Sequence, residues 1–281
     1  MTAAPVAERL IGEFRAPHNG FQASASSIHN DETAAKLGFK GGTVPGSVHM
    51  DQFGPMLLKL YGEAWFEQGN ISCHFMQATV DKEELQAMVD PGEPRSRLAA
   101  FNRDGAQILV GTASAQAVDP QSEVEQRLAG QTPAAPGALR IYADVKVGDT
   151  TSDIPMKVSL ESYKASLERI TERLAIYDKG VLSPAHVIRL AHMARPFVLA
   201  KSKQPYVGLF GALEVRQLAG PLVADKDYVG RTTMRKLSES PKTENAWYNV
   251  DIADAATGKD VASVTFLIRA MKPSSPLWTQ G

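Results

Sequence analysis

One cysteine, Cys73, stands in 281 residues, so the chain can form neither an internal disulfide nor a cysteine-based metal cluster. Charge of one sign is missing too. The 30 Lys+Arg and 31 Asp+Glu leave a formal net charge of −1, with no basic run. That balance speaks against nucleic acid or a membrane surface as a partner held by bulk charge. No apolar stretch approaches a membrane span, and MTAAPVAERLIGEF has no apolar core of signal-peptide length. These absences predict a cytoplasmic protein. Phosphate-cradling glycine loops, a G-x-S-x-G elbow, H-E-x-x-H and C-x-x-C are all lacking. The six histidines show no ligand spacing, so neither a metal nor a redox cofactor is expected.

What is present is ordinary for a chain with a real core: 43% hydrophobic and 22% charged residues. A polar, then Ala/Pro/Gly-rich stretch at 119 to 138 reads as a connector with room for a short helix. It divides the chain into halves at 1–118 and 139–281. In the first, apolar residues at 50, 53, 57 and 60 predict an amphipathic helix over 46–61. WFEQGNISCHFMQAT then reads as β-rich, and two strand-like runs flank the Asp-Gly turn of RSRLAAFNRDGAQILVGTASAQAV.

The second half repeats that order. SPAHVIRLAHMA is a helix with Ser183 as N-cap, Pro184 at its first position and Pro196 limiting its end. YVGLFGALEVRQL, VGRTTMRKLSES, AWYNVDIAD and KDVASVTFLIRAM follow as four strands. Matching Gly46 to Ser183 places Asn70 on Val207 and His49 on His186. A helix followed by an antiparallel meander, written twice, predicts a duplicated α+β unit whose sheet wraps its helix.

The segment IHNDETAAKLGFKGGTVPG leading into the first helix resembles the MaoC-like hydratase/dehydratase family of hot-dog proteins. The matching positions are His29, Asp31, Ala35, Gly38 or Phe39, and Gly46. VKVGDTTSDIPMKVSLESYKASLERITERLAIYDKGVLSPAHVIRLA resembles the opening of a second such domain. The resemblance implies a double hot dog that acts on enoyl thioesters of coenzyme A or acyl carrier protein, adding or removing water. Coenzyme A would be part of the substrate and no separate cofactor is needed. One chain can complete such a pocket, while free sheet edges offer a route to a homodimer.

His29 then stands as the base that handles water, and the Gly46 N–H as the clamp on the thioester carbonyl. Orphan N–H groups and the helix dipole favour a developing enolate there. Asp31 either orients His29 or shares with Asn30 the capping of DETAAKLG. His49 shares the inward stripe of Phe53, Met56 and Leu60, so it lines any pocket at that helix end or sits satisfied in the core. Pro45, Ser47 and Phe53 are candidate substrate contacts, with helix capping the rival role for Ser47. Asp51 is expected on a solvated or interface side. Cys73 and His74, neighbours in a strand, face opposite ways and form no pair.

The pattern departs from the family's in two places. Ser24 stands where the family's acid precedes its histidine by five residues, and Tyr177 stands about where the second half would carry a histidine. The second half is therefore expected to be chemically silent. Thioester hydrolysis is the second reading, needing a carboxylate such as Asp51 or Glu63. A non-catalytic acyl binder or structural subunit is the third.

Overall fold

The computed structural model describes residues 8–20 and 27–279. Its first half carries β1 (Leu10–Arg15), β2 (Asn70–Phe75), β3 (Leu85–Asp90), β4 (Ser96–Asn102) and β5 (Gln107–Ser114). Its second half carries β6 (Ile154–Met156), β7 (Gly208–Gln217), β8 (Tyr228–Glu239), β9 (Thr243–Asp254) and β10 (Asp260–Met271). All join one antiparallel sheet in the order β1-β3-β4-β5-β2-β7-β10-β9-β8-β6. Read inward from either edge, the sequence of equivalent strands is the same. The fold is a double hot dog, and β2 pairing with β7 is the seam between its halves.

In the first half α1 (Asp31–Lys36) precedes the central helical run, which is α2 (Gly46–Met50), a 3-10 turn (Asp51–Phe53) and α3 (Gly54–Tyr61). The single helix expected over 46–61 tightens in its middle because Pro55, in the first turn of α3, has no N–H to give. WFEQ, expected as strand, is the short helix α4 (Trp65–Gln68). Gly69 closes it with an N–H to the Trp65 carbonyl at 2.8 Å. Strands β1 and β3 carry no turn signature in the sequence, but β3 alternates buried and half-buried residues as a one-sided strand must.

The second half has α6 (Leu160–Ser166), α7 (Ala175–Asp178), α8 (Pro184–His192) and α9 (Arg195–Val198), after α5 (Glu123–Ala129) in the connector. Met50, Phe53 and Leu57 of the first central run share one apolar core with Val187, Ile188 and Ala191 of α8. The connector is no loose tether. Val124 and Leu128 of α5 pack with Ala212, Trp247 and Leu267 on the outer face of the sheet. Strand hydroxyls satisfy the first amides of α5: Thr112 Oγ1 accepts from Glu123 N–H at 3.0 Å and Ser72 Oγ from Val124 N–H at 2.8 Å.

A buried carboxylate marks the seam. Glu214 of β7 is fully buried, accepting from Asn70 Nδ2 of β2 at 2.7 Å and from Arg216 Nη2 at 2.7 Å. Arg216 also pairs with Glu125 of α5, which Arg235 of β8 reaches at 2.6 Å. One network thus joins both halves and the connector. Breaking it leaves desolvated charge behind, so Glu214→Ala should lower the unfolding free energy by about 3 kcal/mol. Urea denaturation measures this; a change within error would show the seam does not rest on that carboxylate.

Candidate active site

Between the halves lies a cavity of about 600 Å³. Its walls are the entry to α2, the segment Phe75–Thr79 after β2, one side of α8 down to Arg195, and the ends of β7 and β10. Among the described residues lining it, none is Asp or Glu.

The histidine in the first loop is held from several sides. His29 Nδ1 lies 2.6 Å from the Thr43 carbonyl, so this nitrogen carries the proton and Nε2 is the basic one. Asn19 Nδ2 donates to the His29 carbonyl at 2.8 Å, and Thr43 N–H donates to the Ile28 carbonyl at 3.1 Å. Gly42 runs against the same carbonyl, where a Cβ would sit 2.2 Å from the His29 oxygen. Only glycine permits that approach. Burial holds the imidazole below its ordinary pKa, opposed by the bond to Thr43, which leaves it neutral and basic near pH 7.

Asp31 does not line the cavity. It is exposed at the start of α1, its Oδ1 accepting from Gly42 N–H at 2.7 Å, while Asn30 takes the N-cap role by accepting from Thr33 N–H. Its reach toward His29 is thus through the Gly42 loop. Gly46, Pro45, Ser47 and His49 all line the cavity. Pro45 is the N-cap, without a side-chain bond, so Ser47 is not the cap and presents a buried hydroxyl at the wall. Gly46 lies flat against Phe75, whose ring atoms would stand 2.8 Å from a Cβ there. His49 Nε2 sits 2.8 Å from Thr79 Oγ1, and burial drives its pKa down to about 4. Phe53, expected as a substrate contact, is fully buried in the core and away from the cavity wall, because its side of the run faces the sheet. Ser24 lies outside the described residues.

The second half repeats this arrangement with different side chains. The carbonyl of Val181, three residues before the first residue of α8 as Thr43 stands three before Gly46, accepts from the Tyr163 hydroxyl, so a phenol fills there the bonding role that His29 has at Thr43. Tyr177 is buried in the core against Phe66. Pro184 has no N–H to present, and the next amide, Ala185, is taken by Asp51 Oδ1 at 3.0 Å. Asp51 Oδ2 accepts from Ser183 Oγ at 2.8 Å, and Ser183 in turn meets His186 Nδ1 at 2.7 Å. Of the two places expected for it, Asp51 takes the interface rather than solvent: it is fully buried and bonded across the halves at the entry to the second helix. At the first entry no side chain caps the helix among the described residues.

Beyond His186, matched to His49 from the sequence, the far wall adds Arg189, His192 and Arg195, which recur with it every three residues and all line the cavity. Polar residues at helical spacing along an otherwise apolar helix were the available signal. Cys73 is buried in the core, which pushes its thiol pKa up, and His74 lies between Arg127 and Arg269 with its pKa held near 3, mainly by burial.

Among family models none matches, and no curated protein matches by sequence. Solved structures do match in fold. A protein of Chloroflexus aurantiacus J-10-fl, named for a MaoC-domain dehydratase, aligns at TM-score 0.61 and 11% identity, over 95% of this chain and 96% of that one. A conserved hypothetical double hot-dog protein of Mycobacterium tuberculosis aligns at TM-score 0.61 and 12% identity, covering 94% and 96%. The dehydratase domain of the CurJ module of curacin polyketide synthase aligns at TM-score 0.51 and 15% identity, covering 97% and 96%. At these identities the likeness is one of fold, the double hot dog.

Burial raises the Asp51 pKa from 3.8 to about 7, against the bonds from Ala185 and Ser183. Between those values the folded chain holds a proton that the unfolded chain releases, so this group's contribution to stability falls as pH rises through that window. His49 and His186, depressed to about 4 and about 3 by burial, act oppositely and destabilise as pH falls below 6.5. Asp51→Asn keeps an acceptor for Ala185 and cannot ionise. Its melting temperature should match the parent's near pH 4 and exceed it at pH 8; a difference that does not grow with pH would overturn this account of Asp51.

Proposed function

We propose that this chain is an enoyl-thioester hydratase, or in reverse a 3-hydroxyacyl-thioester dehydratase, with coenzyme A or acyl carrier protein as the carrier. The observation that supports it most is the pairing, in one cavity, of a histidine with a fixed tautomer and a helix entry left uncapped. In this reading His29 Nε2 takes a proton from water as the oxygen adds to Cβ of the enoyl group. The electron pair moves onto the thioester oxygen, where the Gly46 N–H and the helix dipole meet it. Cα then takes the proton back from the imidazolium, so atoms and charge balance and one base serves both steps. Ser47, Pro45 and His49 shape the wall beside the thioester, and Asp31 acts by holding the Gly42 loop under His29.

Hydrolysis is the weaker reading for a specific reason. Asp51 is committed to Ser183 and Ala185, and Glu63 is exposed, 4.0 Å from Lys179; neither lines the cavity.

Incubation with crotonyl-CoA, following enoyl absorbance and free thiol together, tests the assignment. Loss of enoyl signal without thiol release is expected; thiol release would mean hydrolysis, and neither signal across several chain lengths would mean a binder. His29→Gln should lower kcat by on the order of 10²–10⁴-fold while the fold is retained by circular dichroism. Because burial depresses this imidazole, the acid limb of kcat/KM should lie below pH 6.5. Full activity in the variant would remove His29 from the mechanism.

A further inference from the structure

The cavity continues past the proposed reaction centre to a second polar cluster. It follows α8, nine residues long and so about 13 Å of rise, and reaches Arg195 at the start of α9. Arg195 Nε is buried with no hydrogen-bond partner. So is His192 Nε2, in the same cavity wall, with Phe210 and Phe266 packed about its ring. Tyr248, fully buried and stacked on Phe266 at 5.0 Å, packs behind that wall and does not line the cavity. Gly208 gives the guanidinium room, with Arg195 Nη2 3.3 Å from where a Cβ would stand.

Arg195 and His192 stand in the cavity wall, and no carboxylate among the described lining answers the guanidinium. Buried polar atoms are almost always satisfied, so an unpartnered nitrogen on each of these two residues, one of them a cation, calls for an anion with several acceptors. Phe210 lies beside His192 in the same wall, which suits a small planar carboxylate on an apolar stem. We propose that the Arg195 end of the cavity binds a carboxylate at the far end of the acyl chain, so that the substrates are thioesters of dicarboxylic acids. The proposal rests on the acyl-thioester reading above and adds the substrate class.

Saturated thioesters test this without turnover. Glutaryl-, adipoyl-, suberoyl- and sebacoyl-CoA are titrated into the full chain by calorimetry, against the matching monocarboxylic acyl-CoAs and coenzyme A alone. At the chain length that spans the cavity, the dicarboxylic form should bind about tenfold tighter or more, the scale of a charge-assisted bond. Arg195→Met should erase that preference and leave monocarboxylic binding unchanged. His192→Phe, which removes an unpartnered ring nitrogen from the same wall, should weaken the preference; it also serves if Arg195→Met fails to fold. No preference at any length would overturn the proposal, as would a preference that survives both variants. Coenzyme A alone losing affinity in Arg195→Met would overturn it too, by assigning the guanidinium to the carrier's phosphates. A preference without hydration of any enoyl counterpart leaves this site standing and removes the proposed reaction. Hydration without a preference does the reverse.

Discussion

One buried carboxylate makes the two halves unequal. Asp51 leaves the first central helix and inserts its oxygens into the start of the second, where Ala185 N–H and Ser183 Oγ receive them. A helix start carries orphan donors, so the acid's oxygens find partners there, while burial outweighs those bonds and disfavours the ionised form. These bonds join the halves at their centre and take up the amide at the start of the second central helix. With Pro184 supplying no amide at all, the second entry is closed by both chain chemistry and packing. The first entry, led by Pro45 and Gly46 with no capping side chain, stays available.

The same contrast runs through the loops that lead into the two helices. A carbonyl three residues before each helix start receives a side-chain donor: Thr43 from His29, Val181 from Tyr163. The scaffold needs a donor there, and either an imidazole or a phenol satisfies it. Only the imidazole has a second nitrogen that can exchange a proton near neutral pH. Gly42 and the Asp31 carboxylate hold the loop that makes the histidine's placement definite.

Much of the fold was legible. The helix at 183 to 194, the hairpin around Asp104-Gly105 and the three long strands of the second half follow from periodicity and turn chemistry, which are local. Pro55 tightening the central helix and WFEQ turning helical were missed because short segments between breakers obey packing before propensity. The short helix that the connector had room for is α5, yet Val124 and Leu128 find an apolar patch on the sheet that only the assembled strands create. Of the candidate site residues, His29, Pro45, Gly46, Ser47 and His49 meet in one cavity, while Phe53 turns to the core and Asp31 to the Gly42 loop.

By itself the sequence determined the repeated α+β plan, the histidine of the loop before the first central helix and the glycine that opens that helix, because each depends on residue type and spacing alone. Tertiary structure decided what those features meet. It brought Asp51 against Ser183 across 132 positions, set the Tyr163 hydroxyl on the Val181 carbonyl as His29 sits on that of Thr43, and put Arg195 and His192 at the far end of the same cavity. Contacts between residues so distant in the chain depend on how two helices and a ten-stranded sheet close on each other, and no local pattern carries that information.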